Sequence, residues 1–367
     1  MKRVLFITNY AAPYRVHFFD ELGKYMDVTV LFSDPVEQVT HRSKDWFEDS
    51  QGGYHAVQLR SVKHTRNDEN LCPDVISWLK KPYDAVVVSG YSSPTVILAM
   101  AYMKLHRIPF YMEVDGGLIR EESSLKYRLK KTLVSLPDRW LSTGEYTTRY
   151  LTHYGAQAEK VSVYPFSSLY RADILDRIPS QQEKADIRRE LGISEKKVVL
   201  SIGQFIHRKA FDILIQSAAA LDSDTGIYII GGSPTQEYLK LCQEYNVKNV
   251  HFLDFMKKEK LIHYYKAADL FVLPTREDIW GLVINEAMAF GLPIVTTDRC
   301  VAGLELVQDG ENGYIVPVED VQALAQRMKD VLRGDHSQMG AVSLEKIRNY
   351  TIENMVKSHI SVFENDC

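Results

Sequence analysis

The chain has 367 residues, of which 45% are hydrophobic and 25% charged, so it is long enough for two domains with separate apolar cores. Its formal net charge of −4 provides no overall attraction to nucleic acid, and we expect no nucleic-acid partner. The four cysteines show no C-x-x-C spacing, which favours reduced thiols over a disulfide framework or a zinc site.

The N-terminus, MKRVLFITNY, combines a basic start with an apolar run and so superficially resembles a signal peptide. The run is only about half a dozen residues long and ends at Asn9 and Tyr10, so a first buried strand is the better interpretation. No apolar stretch approaches the roughly 20 residues that are needed to cross a bilayer. We therefore expect a cytoplasmic protein.

Short β-branched runs alternate with segments of helical length, which is typical of parallel sheets that carry helices on both faces. In the first half of the chain the predicted strands span residues 4–8, 28–32, 85–89, 110–114, 140–143 and 161–164. The predicted helices between them span residues 15–25, 73–80, 94–106, 124–134 and 145–154.

The segment from Leu169 to about Glu195 is polar and contains no strand candidate, which indicates a link between domains with a lead-in helix. A second alternating series follows, with predicted strands at 198–203, 227–232, 250–253, 270–275 and 293–297. Its predicted helices span 209–221, 235–245, 257–267, 282–290 and 319–332, and a weakly amphipathic segment covers 342–363. Doubly wound domains bind ligands at the carboxyl ends of their strands, so a cleft between the two domains is the expected site.

The most informative stretch is ADLFVLPTREDIWGLVINEAMAFGLPIVTT, residues 268–297. A predicted strand ends at Pro274, and Gly281 opens a helix whose positive end can receive a diphosphate. Asp278 and Glu286 have seven residues between them, so that one lies on the turn and the other inside the helix, and both can face one ligand. The alternative is that Asp278 only caps the helix and that Glu286 is a solvated helix residue.

This stretch resembles the donor-binding motif of the family 4 retaining glycosyltransferases of GT-B fold, in which two acids flank an aromatic-Gly-Leu turn. The resemblance implies that Asp278 binds hydroxyls of the transferred sugar and that Glu286 binds the ribose. The family usually has Glu at the first position, and Glu277 directly precedes Asp278, so either acid could contact the sugar; the register favours Asp278. The donor-binding residues that the resemblance implies in this stretch are Trp280, Gly281, Leu282, Val283 and Glu286.

A second match to the family lies in the segment SIGQFIHRKAFDILIQSA. The family has Gly-Arg at the end of the first strand of the second domain and Lys five residues after the Arg; this chain has Gly203, Gln204 and then Lys209. A lysine at the start of a helix is suited to stabilise a leaving diphosphate, whereas the alternative is a solvated Lys209 beside Arg208. With Gln204 in place of the arginine, one cation is missing, and His207 or Arg208 could substitute for it.

Three further segments agree with the family in chain order. They resemble its second strand with a glycine pair, its base-binding loop with the following helix, and its glycine-rich return segment; they are residues 227–239, 252–274 and 301–317. The resemblance thus covers essentially all of residues 197–335.

The first half of the chain matches the family less closely, as expected if it binds a variable acceptor. The candidate acceptor-side residues follow predicted strands and are Asn9, Arg15, Glu113, Gly116 and Gly117. Relatives often have a histidine close to the sugar where this chain has Asp115, which makes Asp115 a candidate catalytic residue; a turn acid that caps a helix is the alternative. No G-x-G-x-x-G follows the first strand, which argues against a nicotinamide cofactor. No histidine pair at helical spacing occurs in the sequence, and we expect neither a metal nor a cofactor.

The sequence therefore predicts an α/β protein of GT-B fold, with two doubly wound, Rossmann-like domains facing a central cleft. The acceptor domain spans about 1–170, the donor domain about 171–345, and a C-terminal helix at about 346–367 packs back on the first. The resemblance implies retaining transfer of a hexosyl-type sugar from a nucleotide-diphosphate donor to a hydroxyl of a glycan or lipid-linked acceptor, as in bacterial surface polysaccharide assembly. Lys209 and the helix near Gly281 would stabilise the departing diphosphate. A nucleotide-sugar epimerase of the same fold and an inactive nucleotide-sugar-binding protein are the alternatives.

The predicted helix at 123–136 has a possible second role. Leucines recur on one of its faces with basic residues around them, namely Leu125, Leu129, Leu133 and Leu136 with Lys126, Arg128, Lys130 and Lys131. A basic amphipathic helix can lie on anionic lipid, which suits a lipid-linked acceptor and the inner face of the cytoplasmic membrane. The alternative is an ordinary helix whose leucines pack on the sheet.

Overall fold

The computed structural model describes residues 1–36, 52–64, 70–334 and 336–365. The chain divides into two compact units. The first unit consists of Met1–Ser168 together with Tyr350–Cys367, and the second consists of Leu169–Asn349. The second unit thus begins in the polar segment that the sequence indicates as a link between domains.

The first unit contains a parallel sheet of seven strands in the order β3-β2-β1-β6-β7-β8-β9, and a short antiparallel pair of β4 with β5. The strands are β1 (Arg3–Thr8), β2 (Asp27–Phe32), β3 (His55–Gln58), β4 (Lys63–His64), β5 (Asn70–Leu71), β6 (Ala85–Ser89), β7 (Tyr111–Val114), β8 (Arg139–Ser142) and β9 (Val161–Val163). The strand order reverses between β1 and β6, which is where doubly wound folds form their ligand crevice.

The second unit contains a parallel sheet of six strands in the order β12-β11-β10-β13-β14-β15. The strands are β10 (Lys197–Ile202), β11 (Thr225–Ile230), β12 (Val250–Leu253), β13 (Leu270–Leu273), β14 (Ile294–Thr297) and β15 (Gly313–Val316). Here the order reverses between β10 and β13. Side chains of central strands are fully buried on both faces, as in Leu270 to Leu273, because helices cover both faces of a parallel sheet.

Helices connect the strands in both units. They are α1 (Pro13–Leu22), α2 (Val75–Leu79), α3 (Pro94–His106), α4 (Ser124–Val134), α5 (Glu145–His153), α6 (Gln181–Leu191), α7 (Phe211–Ala218), α8 (Gln236–Glu244), α9 (Lys258–Ala267), α10 (Leu282–Ala289), α11 (Val301–Leu306), α12 (Val321–Arg333), α13 (His336–Ile347) and α14 (Ile352–Asn365). Local signals explain several starts: Pro13 and Pro94 occupy first turns, and the side chain of Ser180 caps α6 in a capping box with Glu183.

The last helix, α14, belongs to the first unit and packs against α1. The Phe363 ring on α14 lies 6.3 Å from the Phe6 ring on β1, and the His359 ring lies 4.7 Å from the Phe18 ring on α1. Lys2 Nζ also donates to the carbonyl of Phe363 at 2.8 Å. The C-terminus therefore contributes core residues to the unit in which the chain begins.

Several elements differ from the sequence-based predictions. The strands β3, β4, β5 and β15 were not predicted; β3 is a largely exposed strand of mixed polarity, β4 and β5 have two residues each, and β15 begins at a glycine. The segment predicted at 342–363 is in fact the end of α13, a break, and then α14. Among the described residues, no helix has both the length and the apolar character needed to cross a bilayer.

Candidate functional site

The glycines and acids that the sequence singles out in the second half lie at the ends of neighbouring strands. Gly203 follows β10, Gly231 follows β11, and Asp278 lies in the turn after β13. Because β11, β10 and β13 are parallel neighbours, their carboxyl ends share one edge of the sheet. The loops approach closely there, since a Cβ on Gly231 would lie 1.8 Å from the carbonyl oxygen of Gly203.

Lys209 and Asp278 form an ion pair at this edge. Lys209 Nζ lies 2.5 Å from Asp278 Oδ2, and each side chain is 11% exposed. The aliphatic part of Lys209 passes Gly203, where an added Cβ would lie 3.3 Å from Lys209 Cε. Lys209 is therefore not the solvated side chain that the alternative interpretation of the sequence describes.

A second cation, Arg208, lies beside this pair. Its Nη1 is 3.5 Å from Asp278 Oδ1 and donates to the carbonyl of Glu277 at 2.8 Å. Its side chain is 43% exposed, so the guanidinium can also contact a ligand. Of the two basic residues considered as substitutes for the missing arginine at Gln204, Arg208 is the one that is directed to Asp278.

Ion pairs of Arg276 fix the turn that precedes Asp278. Arg276 donates to Asp212 at 2.6 Å and to Glu319 at 2.6 Å, and it is mostly buried. Glu277 is half-buried, and its carbonyl oxygen accepts from Arg208 and from the hydroxyl of Thr275. These contacts fix the direction in which the turn leaves β13.

Backbone hydrogen bonds fix the turn from Asp278 to Gly281. The N–H of Asp278 donates to the carbonyl of Arg299 at 2.8 Å, and the N–H of Ala302 donates to that of Trp280 at 2.8 Å. Gly281 has φ 106°, and an added Cβ would lie 2.8 Å from Cys300 Sγ, so this position requires glycine.

The helix α10 begins directly after Gly281. The first N–H groups of a helix have no acceptor within the helix, and they carry partial positive charge. Leu282 and Val283 contribute such groups here, a few residues after Asp278, which pairs with Lys209 and Arg208. This combination of cations and helix start is suited to bind a diphosphate.

Trp280 has a different role from the predicted one. Its side chain is only 2% exposed, and its Nε1 donates to Oδ1 of the buried Asn285 at 2.9 Å. Burial excludes direct contact between this ring and a donor in the observed arrangement. Trp280 therefore supports the turn from within, as a correction to its place among the predicted donor-binding residues.

Glu286 is half-buried on α10 and accepts a hydrogen bond from the hydroxyl of Tyr265 at 2.8 Å. Burial and the adjacent carboxylate raise the pKa of Tyr265, so its hydroxyl remains a donor. Sequence reasoning missed Tyr265, because its position on α9 gives no local signal of a partner on α10.

In the first unit, Arg15 joins two acids. Its Nη1 donates to Glu113 Oε2 at 2.6 Å, and its Nη2 donates to Asp115 Oδ1. The hydroxyl of Tyr14 also donates to Asp115, at 2.9 Å. Arg15 and Tyr14 lie at the start of α1, while the acids lie at the end of β7 and just after it.

These acids differ in the direction of their pKa shifts and in access. Burial alone would raise the pKa of Glu113, but the positive charges of Arg15 and His359 lower it to about 2. Burial and the charge of Glu113 raise the pKa of Asp115, against the opposing effect of Arg15. The Asp115 side chain is 21% exposed, whereas those of Arg15 and Glu113 are 3% and 0% exposed.

The acceptor-side assignment is revised accordingly. Glu113 and Arg15 cannot contact an acceptor directly, because they are buried; they hold Asp115, which reaches the surface. Gly116 is buried too, and Gly117 packs against a tyrosine ring, where an added Cβ would lie 2.6 Å from Tyr150 Cγ. The remaining assigned residue, Asn9, is exposed at the end of β1.

The leucine face of α4 is split between core and solvent. Leu125 and Leu129 are 78% and 59% exposed, whereas Leu133 is buried and Leu136 is partly buried against the core. Lys130 forms an ion pair of 2.8 Å with Glu122 and donates to the Tyr154 hydroxyl at 3.3 Å, so it serves the fold. The basic residues Lys126, Arg128 and Lys131 are exposed.

Comparison with known proteins relates this arrangement to glycosyltransferases. Residues 183–354 match the family model "Glycosyl transferases group 1". The chain is 29% identical over 248 residues to a D-inositol 3-phosphate glycosyltransferase of Corynebacterium diphtheriae, covering 63% of this chain and 57% of that protein. It is 27% identical over 199 residues to an N-acetyl-alpha-D-glucosaminyl L-malate synthase of Bacillus anthracis, covering 51% of each.

Among solved structures, Anabaena Alr3699/HepE in complex with UDP superposes with a TM-score of 0.78 at 18% identity, covering 100% of both chains. Together with the two parallel sheets, this likeness confirms the predicted α/β GT-B fold. The matched part of this chain spans little more than half the length of its curated relatives.

Proposed function

Because residues 183–354 match the family model of the group 1 glycosyl transferases, we propose that this protein transfers a sugar from a nucleotide-diphosphate donor to a hydroxyl of a glycan or lipid-linked acceptor. The observation that carries the proposal is the Lys209–Asp278 pair at the carboxyl edge of the second sheet. This pair joins a cation and an acid that are far apart in the sequence. It lies near the start of α10, where the strand order reverses between β10 and β13.

The second unit would supply the residues that bind the nucleotide and the diphosphate of the donor. Lys209, Arg208 and the N–H groups at the start of α10 would bind the diphosphate, and Asp278 would accept hydrogen bonds from sugar hydroxyls. Glu286, which Tyr265 orients, would accept hydrogen bonds from the hydroxyls of the ribose. Since Lys209 and Asp278 are partners of each other, donor binding would exchange their ion pair for contacts with phosphate and sugar.

The reaction would proceed with retention and without a metal. Positive charge for the departing diphosphate would come from Lys209 and Arg208, which act as preorganised groups of the protein. In the first unit, Asp115 would be the acid that contacts the reacting sugar, because it is the accessible member of its cluster. We further propose that the transferred sugar is a hexosyl group and that the acceptor belongs to bacterial surface polysaccharide assembly.

Names of similar proteins support this class of reaction. The Anabaena protein was solved with UDP, and the two curated relatives are named as a D-inositol 3-phosphate glycosyltransferase and an N-acetyl-alpha-D-glucosaminyl L-malate synthase. These names are those of the relatives. The family model matches residues 183–354, which lie mostly in the second unit, where we place the donor.

A donor screen tests the proposal. Nucleotide sugars are added singly while thermal unfolding is followed, because a ligand that binds the folded state raises the midpoint. The stabilising donor is then incubated with and without glycan acceptors, and the anomeric configuration of the product is read by NMR, before and after dialysis against EDTA. Donor consumed only with acceptor supports transfer. Sugar altered without acceptor indicates an epimerase, and binding without turnover indicates an inactive binding protein.

We also propose that the first unit binds anionic membrane through α4. The exposed pair Leu125 and Leu129 would enter the interface, while the exposed Lys126 and Lys131 would lie among the lipid headgroups. This would hold an otherwise cytoplasmic protein at the inner face of the membrane, beside a lipid-linked acceptor.

Sedimentation with vesicles of anionic lipid tests the membrane proposal. A double substitution, Leu125→Ser with Leu129→Ser, should abolish salt-sensitive binding, and Lys126→Glu with Lys131→Glu should do the same. The matched control is Leu105→Ser, which alters a leucine on α3 that is 79% exposed. Binding that survives both double substitutions contradicts the proposal. Lys130 is left intact, because reversing its charge would break its pair with Glu122.

A further inference from the structure

The buried cluster beside Asp115 contains a residue that the proposed mechanism does not use. His359 lies on α14 near the C-terminus, and its side chain is 0% exposed. Its ring lies 4.7 Å from the ring of Phe18 and 4.6 Å from that of Tyr164, so aromatic groups fix its position. His359 Nε2 is 3.3 Å from Glu113 Oε1.

Hydrogen bonding determines which atoms of this histidine carry protons. His359 Nδ1 lies 2.8 Å from the carbonyl oxygen of Met355, and a carbonyl can only accept, so Nδ1 carries a hydrogen. His359 Nε2 and Glu113 Oε1 are both buried, and among the described residues the only other group that can donate to Glu113 Oε1 is the neighbouring hydroxyl of Tyr164. A proton on Nε2 would supply both atoms with a partner, whereas its absence would set two lone pairs against each other.

The charges of the cluster lead to the same protonation state. Arg15 carries one positive charge, while Glu113 and Asp115 can carry two negative charges. The other titratable groups that face His359 and Glu113 are Tyr164 and Tyr14, which are neutral because burial raises the pKa of both hydroxyls. A protonated His359 therefore makes the buried cluster neutral, which reduces the cost of burying its charges.

We propose that His359 is a positioning residue for Asp115, acting through Glu113 and Arg15. The imidazolium donates to one oxygen of Glu113, and Arg15 binds the other oxygen and extends to Asp115. The C-terminal helix thereby sets the orientation and the charge of the acid at the surface. This inference rests on the proposed function only where it concerns catalysis; the ion pair itself does not depend on it.

An NMR experiment tests the ion pair without any assay of activity. The ring signal of His359 is assigned by its loss in His359→Phe, which keeps an aromatic ring among its aromatic neighbours. In mildly acidic buffer we expect a ring protonated at both nitrogens in the wild-type chain, and loss of that state in Glu113→Gln. A ring with one proton in both proteins overturns the proposal.

A kinetic experiment then tests the path to Asp115. His359→Phe should lower kcat about tenfold, as expected when a reacting group is slightly misplaced, with the affinity for donor unchanged because the donor residues lie in the second unit. In an Asp115→Asn background the same substitution should cause no further loss. His359→Gln, which can still donate to Glu113, should recover part of the rate. The control is Lys357→Ala, an exposed position on the same helix, which should match the wild type.

Two results distinguish the possible failures. If His359→Phe lowers kcat equally in the Asp115→Asn background, the effect is general destabilisation and the positioning role is wrong. If the wild-type chain transfers no sugar, the proposed function is wrong, and the NMR comparison still decides whether His359 and Glu113 form an ion pair.

Discussion

Lys209 Nζ donates to Asp278 Oδ2 at 2.5 Å, so the proposed phosphate-binding cation and the proposed sugar-binding acid are partners of each other. The pair orients both side chains, each of which is only 11% exposed. A donor that contacts both groups would replace one ion pair by two sets of charge-assisted hydrogen bonds. Substitution of either residue should therefore affect both the partner and the ligand.

Replacement of Lys209 tests the role of its charge. Lys209→Ala should lower kcat by an amount equivalent to roughly 2–4 kcal/mol of transition-state stabilisation, because it removes one preorganised group from the leaving diphosphate. Steady-state kinetics at saturating donor measures the loss. Lys240→Ala on α8, an exposed lysine of the same unit, is the control. An unchanged kcat in Lys209→Ala would rule the role out.

Replacement of the two adjacent acids tests which one binds the sugar. Asp278→Asn should cost roughly 1.5–3 kcal/mol in kcat/KM, as for hydrogen bonds that involve a charged group. Glu277→Gln should change kcat/KM very little. The backbone carbonyl of residue 277 accepts hydrogen bonds from Arg208 and Thr275 that hold the turn, and the substitution keeps this carbonyl. The reverse order of effects would assign the sugar to Glu277.

The hydroxyl of Tyr265 should matter for donor affinity. Tyr265→Phe removes the donor that orients Glu286, and we expect weaker binding of a nucleoside diphosphate by about 0.5–1.5 kcal/mol. Calorimetric titration measures the change. Tyr264→Phe, the neighbouring tyrosine on α9, is the matched control and should bind as the wild type does. Equal affinities for all three proteins would show that Tyr265 does not act through Glu286.

The buried ion cluster predicts how stability depends on pH. The pKa of Glu113 is about 2 in the folded chain, below its ordinary value of 4.5. The charge of Glu113 therefore stabilises the fold at every pH above about 4.5. This contribution, up to about 3 kcal/mol, is lost as the pH falls from about 4.5 towards 2. Asp115, whose pKa is raised, acts in the opposite direction.

Chemical denaturation of the wild type and Glu113→Gln over this pH range measures that contribution. At neutral pH the variant should be less stable, because Arg15 and His359 lose a buried partner. The difference between the two proteins should shrink as the solution is acidified. A difference that stays constant with pH would contradict the assignment of this charge to Glu113.

Local patterns predicted the fold well where short-range chemistry decides it. Strand runs, proline starts and the turn at Gly281 all rest on neighbouring residues, and the predicted elements around them are present. What could not be predicted depends on contacts between distant segments. No pattern in the sequence indicates that Trp280 is buried and hydrogen-bonded to Asn285, or that His359 lies close to Glu113. The roles of Glu113 and Arg15 were misjudged for the same reason, since their burial depends on packing between distant segments.

The last prediction concerns Gly281, which begins α10. Gly281→Ala places a side chain at φ 106°, where L residues are strained, and sets its Cβ 2.8 Å from Cys300 Sγ. We expect a loss of about 1–3 kcal/mol in unfolding free energy, together with weaker binding of a nucleoside diphosphate, because the turn must shift the first N–H groups of the helix. Denaturant unfolding and calorimetric titration measure the two effects.

Gly310→Ala separates backbone strain from the steric clash. Gly310 has φ 80°, but an added Cβ there would meet nothing within 4 Å, so this variant should lose stability by strain alone and bind the nucleoside diphosphate normally. Cys300→Ala combined with Gly281→Ala removes the sulfur that the new Cβ would strike, and it should restore part of the lost affinity. If Gly281→Ala binds as tightly as Gly310→Ala does, the start of α10 does not hold the diphosphate, and the charge for it must come from Lys209 and Arg208 alone.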